Sequence, residues 1–258
     1  MKLRNKIAKN KNYLVKQRDK TALLNRLTGI GNLLNYFYPL YHEHQIVGKL
    51  LKPDSRLLDI GCGNGDFIRL LYSYGLRNLT GIEPYINKST VIGNGCEIIK
   101  AELDSLEGKF DIVRIHHVLE HVVNPKGALE KIYNLLEPDG RVVLTIPISD
   151  YIFSKYKQNA YLVQAPHHFH LFTIEGIRNL AEENGFYVEQ MSRNAKGIAN
   201  WIRISELWKK DITEKEAAEM GTRIFSRKEL LKFKKVEKQL VWELKGDNLT
   251  LVLRKDRE

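Results

Sequence analysis

Short apolar runs alternate with amphipathic segments along the middle of the chain, from residue 56 to residue 146. The first run is continuous and apolar, which is typical of a strand buried in a parallel sheet. The segment after its glycine-rich turn places Phe67, Leu70 and Leu71 on one helix face. The pattern predicts five strands, over residues 56–60, 79–82, 98–101, 110–115 and 141–146. Strands that alternate with helices indicate βαβ units, and therefore a mostly parallel sheet with helices on both faces.

The pattern becomes less regular after Pro147. Beyond it the sequence predicts a helix over residues 173–184 and a strand over 186–191. A charged helical insertion follows over about 195–239, and two further strands over 240–245 and 249–254. Thr173 is placed to cap the helix. The last two strands flank Gly246, Asp247 and Asn248, which tolerate positive φ, so we predict a C-terminal antiparallel hairpin. We expect an N-terminal helical cap over residues 1–45 and one main domain over residues 46–258.

The composition is that of a globular protein, since 43% of the 258 residues are hydrophobic. No apolar run reaches the about 18 residues that a membrane span needs. The basic N-terminal segment lacks the apolar region of a signal peptide. Cys62 and Cys96 are the only cysteines and provide no disulfide framework. We therefore expect a cytoplasmic protein without a membrane span.

The net charge of +10 is concentrated toward the two ends of the chain, within residues 1–26 and 203–245. Basic surfaces attract nucleic acid, anionic membranes or anionic substrates. Helices that mix lysine with glutamate, as those predicted within residues 203–245 do, are more often simply solvated. The charge leaves open a nucleic-acid partner but does not favour one.

The most informative segment is the glycine-rich turn between the first strand and the first helix of the sheet. It carries Gly61, Gly63 and Gly65, which allow a tight turn and a close approach of the main chain to a ligand. Position 66 is aspartate, so the turn is a poor match to the G-x-G-x-x-G pattern that binds dinucleotides. About 20 residues later Glu83 ends the second strand, where a carboxylate can accept hydrogen bonds from ribose hydroxyls.

Four segments, in this order, carry a resemblance to a known family: LLDIGCGNG, GIEP, FDIVRIHHVLEHVVNP and LLEPDGRVVLTIP. Over about residues 40–190 the chain resembles the class I S-adenosylmethionine-dependent methyltransferases. It looks most like a small-molecule subgroup with LEH and HHFHLFT segments, here residues 119–121 and 167–173. The resemblance implies a Rossmann-like, doubly wound, mostly parallel sheet of about seven strands. It also implies S-adenosylmethionine as cofactor, S-adenosylhomocysteine as product and a small-molecule acceptor.

The resemblance also implies roles for individual residues. The glycine turn would line the methionine and sugar parts of the cofactor, and Glu83 would bind its ribose. Glu102, or alternatively Asp104, would lie by the adenine, although the family often has aspartate where this chain has glutamate. The full set of cofactor-binding candidates is Asp59, Gly61, Cys62, Gly63, Gly65, Glu83, Pro84, Glu102, Leu103, His116 and His117.

Histidines are concentrated in two segments that follow the fourth and fifth predicted strands: His116, His117 and His121, then His167, His168 and His170. Ligands of open α/β sheets bind beyond the carboxyl ends of the strands. A hydroxyl acceptor needs a general base, for which histidine is suited near neutral pH. We select His117 and His168 as candidate bases, with structural or gating roles as the alternative. The H-H-x-H pattern alone lacks the second pair or carboxylate of a firm metal site, so no metal is predicted.

Three functions remain open from the sequence. The favoured one is methyl transfer to a hydroxyl oxygen of a small acceptor, such as a sugar, a glycolipid precursor or a quinone-like molecule. An RNA methyltransferase is the first alternative, but the chain has no recognisable RNA-binding module. It also reads Ile146-Pro147-Ile148-Ser149 where enzymes that methylate base amines carry Asp/Asn-Pro-Pro-Tyr/Phe. A non-catalytic S-adenosylmethionine-binding protein is the second alternative. The sequence sets no oligomeric state.

Overall fold

The computed structural model describes residues 42–164, 166–219, 224–243 and 245–256. The strands are β1 (Leu57–Ile60), β2 (Leu79–Ile82), β3 (Thr90–Gly93), β4 (Cys96–Ile99), β5 (Phe110–His116), β6 (Leu136–Pro147), β7 (Phe186–Asn194) and β8 (Asn248–Lys255). The α-helices are α1 (His42–Leu50), α2 (Asp66–Ser73), α3 (Pro125–Leu135), α4 (Tyr151–Tyr156), α5 (Ile174–Glu183), α6 (Ile198–Trp208), α7 (Glu214–Glu219) and α8 (Arg227–Trp242). Short 3₁₀ helices span Leu103–Ser105, Leu119–His121, Lys157–Asn159 and Tyr161–Val163.

The strands form an eight-stranded, mostly parallel sheet in the order β3-β4-β2-β1-β5-β6-β8-β7. Strands β1 and β2 are parallel, with Leu57 opposite Leu79, and β2 is parallel to β4, with Leu79 opposite Cys96. Strand β3 is antiparallel to β4, and β7 is antiparallel to β8. The sheet confirms the predicted α/β class. Its eighth strand, β3, is an edge strand that the apolar pattern did not reveal.

The apolar pattern explains the elements around the glycine turn. All four residues of β1 are buried, as the continuous apolar run requires. Helix α2 buries Phe67, Ile68 and Leu71 on one side. The turn between them therefore lies between two elements that are fixed by burial.

The chain divides into two compact units. The first runs up to Arg114 and includes Leu135–Val143, so it contains β1 to β4; the second comprises Ile115–Asn134 and the chain from Leu144 onward. The second unit has an apolar cluster in which Ile198, Ile202 and Phe233 of the predicted helical insertion are buried together with Ile152 and Tyr156 of α4. The insertion is helical, as predicted, and consists of α6, α7 and α8.

Three local predictions can be compared with the structure. Thr173 does cap α5, since its hydroxyl accepts the Gly176 N–H at 3.0 Å. The fifth strand was predicted to begin at residue 141, but β6 begins at Leu136, which is fully buried, and Nη2 of Arg56 donates to Oε1 of Glu137 at 2.6 Å. The last strand, β8, does lie in an antiparallel pair, as predicted, but its partner is β7 and not a strand over residues 240–245.

Residues 240–245 are not the strand that we predicted. Helix α8 continues to Trp242, because Phe233 and Leu240 recur seven residues apart and both are buried on one helix face. The predicted helical cap falls largely on residues 1–41, which lie outside the described residues. Among the described helices, none is long and apolar enough to cross a membrane.

Candidate functional site

The glycine turn after β1 adopts the left-handed conformations that the sequence required. Gly61, Gly63 and Gly65 have φ of 67°, 55° and 75°. A Cβ on Gly65 would lie 2.0 Å from Cδ1 of Ile98, so packing excludes a side chain there. A Cβ on Gly63 would meet no atom within 4 Å among the described residues. Gly63 thus presents bare main chain to open space, as a loop that receives a ligand must.

Glu83 is joined directly to this turn. It follows β2, and its Oε2 accepts the Gly63 N–H at 3.2 Å while its Oε1 accepts the Tyr85 N–H at 3.2 Å. The structure therefore brings together two residues, 20 apart in sequence, that were predicted to hold the same ligand. A carboxylate oxygen has two acceptor positions, so each oxygen can still accept a ribose hydroxyl. This cradle of main chain and carboxylate fits the nucleoside part of S-adenosylmethionine.

A surface cavity of about 370 Å³ opens beside the turn. Its lining includes Gly63, Asn64 and Tyr85, but not Glu102 or Leu103. Glu102 is exposed and precedes the 3₁₀ helix Leu103–Ser105, which its main-chain oxygen caps by accepting the Ser105 N–H at 3.2 Å. The assignment of the adenine to Glu102 and Leu103 thus stays a prediction, as do the roles of Pro84 and Asp104.

Asp59, in β1 just before the turn, belongs to a buried ion network. Its Oδ1 accepts a hydrogen bond from Nη1 of Arg114 at 2.6 Å, and Nε of Arg114 donates to Glu43. Burial disfavours the charge of Arg114, but Asp59 and Glu43 outweigh it, so the pKa of Arg114 is raised. The guanidinium also lies 4.5 Å from the centre of the Phe67 ring. The network fixes the end of β1 from which the glycine turn departs.

Cys62 lies within the turn itself. Burial raises the pKa of its thiol to about 12, and Asp59 and Glu83 add to the effect because negative charges disfavour a thiolate. The thiol is therefore protonated at neutral pH. Cys62 is consequently unsuited to act as a nucleophile or a thiolate ligand.

In the second unit, His117 is held in an unusual conformation. Its φ is 54°, a left-handed value that costs a non-glycine residue about 1–3 kcal/mol. Its N–H donates to the Thr145 carbonyl at 2.9 Å, and its ring Nδ1 lies 3.2 Å from Oε1 of Glu120. Glu120 is 1% exposed. A buried carboxylate thus orients the imidazole, while the ring of His116 packs edge-on at 4.5 Å.

The HHFHLFT segment lies against the LEH segment in the same unit. The main-chain oxygen of Glu120 accepts the Phe169 N–H at 2.9 Å. The rings of His121 and His168 pack edge-on with centres 4.6 Å apart. Burial lowers the pKa of His168, because the neutral ring is favoured away from water. The structure therefore joins the two histidine segments that the sequence had separated by 46 residues.

Sequence reasoning missed three residues of these clusters: Glu43, Arg114 and Glu120. A signal was present for Arg114, because a charged side chain inside an apolar strand needs a buried partner. Glu120 is part of the LEH segment, but its contacts with His117 depend on the 3₁₀ turn. Glu43 had no signal, since it lies 71 residues from Arg114 in the sequence.

Comparison with known proteins shows the family. A family model described as a methyltransferase domain matches residues 4–191. Cycloartenol-C-24-methyltransferase 1 of Oryza sativa subsp. japonica is 27% identical over 110 residues, which are 38% of this chain and 32% of that protein. Ubiquinone biosynthesis O-methyltransferase of Colwellia psychrerythraea is 34% identical over 100 residues, which are 34% of this chain and 40% of that protein. The chain thus spans well under half the length of these relatives.

Solved structures agree in fold. A Haemonchus contortus N-methyltransferase, solved with S-adenosylhomocysteine, superposes with a TM-score of 0.53 at 18% identity and covers 93% of this chain and 57% of that one. Such a likeness shows the Rossmann-like architecture. The family match, which covers more than half of the chain, confirms the family that the four sequence segments implied. The chain belongs to the class I S-adenosylmethionine-dependent methyltransferase family.

Proposed function

We propose that the enzyme methylates a hydroxyl oxygen of a small molecule, such as a sugar, a glycolipid precursor or a quinone-like compound. The observation that carries the proposal is the pairing of His117 Nδ1 with the buried carboxylate of Glu120 at 3.2 Å. An imidazole held by a carboxylate is the arrangement of an oriented general base. A hydroxyl acceptor requires such a base, whereas an amine with a free lone pair does not.

The tautomer of His117 follows from its partner. An ionised carboxylate can only accept hydrogen bonds, so Nδ1 of His117 carries the proton and Nε2 keeps its lone pair. Nε2 then takes the acceptor's hydroxyl proton as the oxygen forms its bond to the methyl carbon and the carbon–sulfur bond breaks. Bound S-adenosylmethionine supplies the methyl group on a positively charged sulfur. Glu120 stabilises the imidazolium that results.

The residues proposed to bind the cofactor through the glycine turn belong to the first unit. We propose that Gly61, Gly63 and Glu83 hold the sugar and methionine parts, for which the 3.2 Å contact between Gly63 and Glu83 is the support. Positioning alone can lower the barrier of such a transfer by about 7–11 kcal/mol. We further propose that His116 lies near the cofactor, on the argument that it ends β5.

The Colwellia psychrerythraea relative, named as an O-methyltransferase of ubiquinone biosynthesis, supports a hydroxyl acceptor. The Oryza sativa relative is named as a C-methyltransferase. The oriented imidazole suits the first of these chemistries, because it can take the proton that a hydroxyl acceptor loses as its oxygen is methylated. We therefore favour oxygen as the acceptor atom.

The test is transfer from methyl-labelled S-adenosylmethionine to three probes: catechol, a methyl glucoside and bulk tRNA. We expect label on a hydroxyl compound, and we expect His117→Ala to slow that transfer by about 10²–10⁴-fold. Binding of S-adenosylhomocysteine, measured as a thermal shift in the same variant, separates loss of the base from loss of cofactor binding. His167→Gln is the matched control, because His167 is exposed and contacts His121 only through its main-chain oxygen.

If the label enters tRNA but neither of the hydroxyl compounds, the proposal is wrong and the protein is an RNA methyltransferase. Transfer at an undiminished rate in His117→Ala would show that His117 is not the general base. Cofactor binding without transfer to any probe in a wider hydroxyl panel would favour a non-catalytic role.

A further inference from the structure

Three side chains of the second unit converge next to the proposed base. They are Glu120, His121 and His168, and their oxygen and nitrogen ligand atoms all lie within 4.8 Å of one another. We propose that these three residues bind a divalent transition-metal ion, and Zn²⁺ is the ion used to test this. The inference goes beyond methyl transfer and does not depend on the identity of the acceptor.

The two histidines have the tautomer of metal ligands. Nδ1 of His121 lies 2.9 Å from the His167 carbonyl oxygen, and Nδ1 of His168 lies 2.6 Å from the Leu162 carbonyl oxygen. A carbonyl can only accept, so each Nδ1 carries the proton and each Nε2 retains its lone pair. Metal-binding histidines in proteins are held in this way, with the second ring nitrogen donating to a carbonyl or carboxylate.

Glu120 supplies the third ligand and an independent indication of a cation. Its Oε1 faces His117, but its Oε2 is buried and has no hydrogen-bond partner among the described residues. A buried carboxylate oxygen without a donor is unfavourable by about 1–3 kcal/mol or more, so such atoms normally have a partner. A cation beside Oε2 would satisfy it. This carboxylate is the ligand that the H-H-x-H pattern alone lacked.

The main chain holds the three ligands on a common support. The Glu120 carbonyl accepts the N–H groups of Phe169 at 2.9 Å and His170 at 3.3 Å, which fastens the segment around His168 to the 3₁₀ helix Leu119–His121. Bonds of about 2.1 Å place neighbouring ligand atoms roughly 3–3.5 Å apart. The observed spread therefore needs only side-chain movements of about 1 Å to close around an ion.

The ligand types select the class of metal. Two imidazoles and one carboxylate suit Zn²⁺ and its first-row neighbours, whereas Mg²⁺ and Ca²⁺ prefer oxygen ligands alone. Three protein ligands leave at least one coordination position open. An open position would accept water or a hydroxyl oxygen, so the site is of the kind that binds a reactant and not only a structural ion.

The test is Zn²⁺ binding to the full chain after treatment with EDTA and dialysis. We expect the wild type to bind one ion per chain by calorimetry. Glu120→Gln and His168→Gln should each weaken binding by about 100-fold, whereas His167→Gln should bind as the wild type does. Substitution with Co²⁺ should give visible absorption bands that both ligand variants lose.

Binding by the wild type that both ligand variants retain would overturn the proposal, as would failure of the wild type to bind one ion. Equal loss of binding in His167→Gln would overturn it too, since that imidazole is not a proposed ligand. The thermal shift on adding S-adenosylhomocysteine is measured in every variant. A retained shift shows that the variant is folded and binds the cofactor product. Loss of metal binding with a retained shift then concerns the metal site alone, and not the methyltransferase assignment.

Discussion

Nη1 of Arg114 donates a 2.6 Å hydrogen bond to Oδ1 of Asp59, and both side chains are buried. The bond links β5 to β1 two residues before Gly61, where the glycine turn begins. Nε of the same guanidinium donates to Glu43, so one cation serves two acids. The end of β1 is therefore fixed by charge as well as by apolar packing. The glycine turn starts from this fixed point.

Replacing Arg114 by methionine should lower the free energy of unfolding by about 3–5 kcal/mol, because two buried carboxylates would lose their counter-charge. Urea denaturation measures the change. Arg178→Met is the control, since Arg178 pairs with Glu182 on the surface at 3.6 Å and should cost at most about 1 kcal/mol. Similar losses in the two variants would show that the buried network contributes no more than a surface pair.

Gly63→Val should abolish the thermal stabilisation by S-adenosylhomocysteine, because the new side chain would occupy the open space beside the main chain. The variant also carries the penalty of a left-handed conformation, about 1–2 kcal/mol. Gly75→Val matches that penalty, since Gly75 has φ of 93° and open space around its Cβ, but it lies at the far end of α2. We expect Gly75→Val to keep the stabilisation. If Gly63→Val keeps it as well, the turn does not contact the cofactor.

The raised pKa of Cys62, about 12, predicts a slow and pH-dependent alkylation by iodoacetamide. Only the thiolate reacts, so the rate at Cys62 should still be rising at pH 10. In the unfolded protein, whose thiols have ordinary pKa values, the rate should level off above about pH 9.5. Cys62→Ser, which retains Cys96, assigns the labelled site by mass spectrometry. A plateau near pH 9 in the folded protein would contradict the environment described for this thiol.

The buried carboxyl group of Asp247 should make the free energy of unfolding depend on pH. Its buried carboxylate accepts the N–H groups of Tyr151 at 2.9 Å and Ile152 at 2.6 Å, and burial raises its pKa from 3.8 to about 6. The folded protein therefore holds this proton more tightly than the unfolded chain does. The contribution of Asp247 to stability is highest below pH 3.8 and falls as the pH rises through 6, by about 3 kcal/mol.

Asp247→Asn removes this titration while keeping the shape of the side chain. Subtracting its free energy of unfolding from that of the wild type at each pH cancels the other carboxylates. We expect the difference to change by about 2 kcal/mol between pH 4 and pH 7, in the direction that disfavours the wild type at high pH. A difference that is constant with pH would show that the two N–H donors balance burial, and a change in the opposite direction would show that they outweigh it.

Elements defined by short-range pattern were predictable from the sequence. The strand over 79–82 has the observed bounds, and the helix predicted over 173–184 is observed as Ile174–Glu183. The glycine turn was also predictable, because left-handed φ values demand glycine at those positions. The hairpin prediction placed a strand at residues 240–245, because a short apolar run fits a strand and a buried helix face equally well.

The sequence by itself determined the α/β class and the glycine turn, because each depends on residues close in sequence, whereas the contact of Glu83 with Gly63 came from the structure. Only the tertiary structure decided which buried charges meet. Arg114 joins acids 55 and 71 residues away, and Glu120 lies beside His168. A hydrogen bond or ion pair acts over a few ångströms, and sequence patterns report burial and period but not which distant segments are brought within that range.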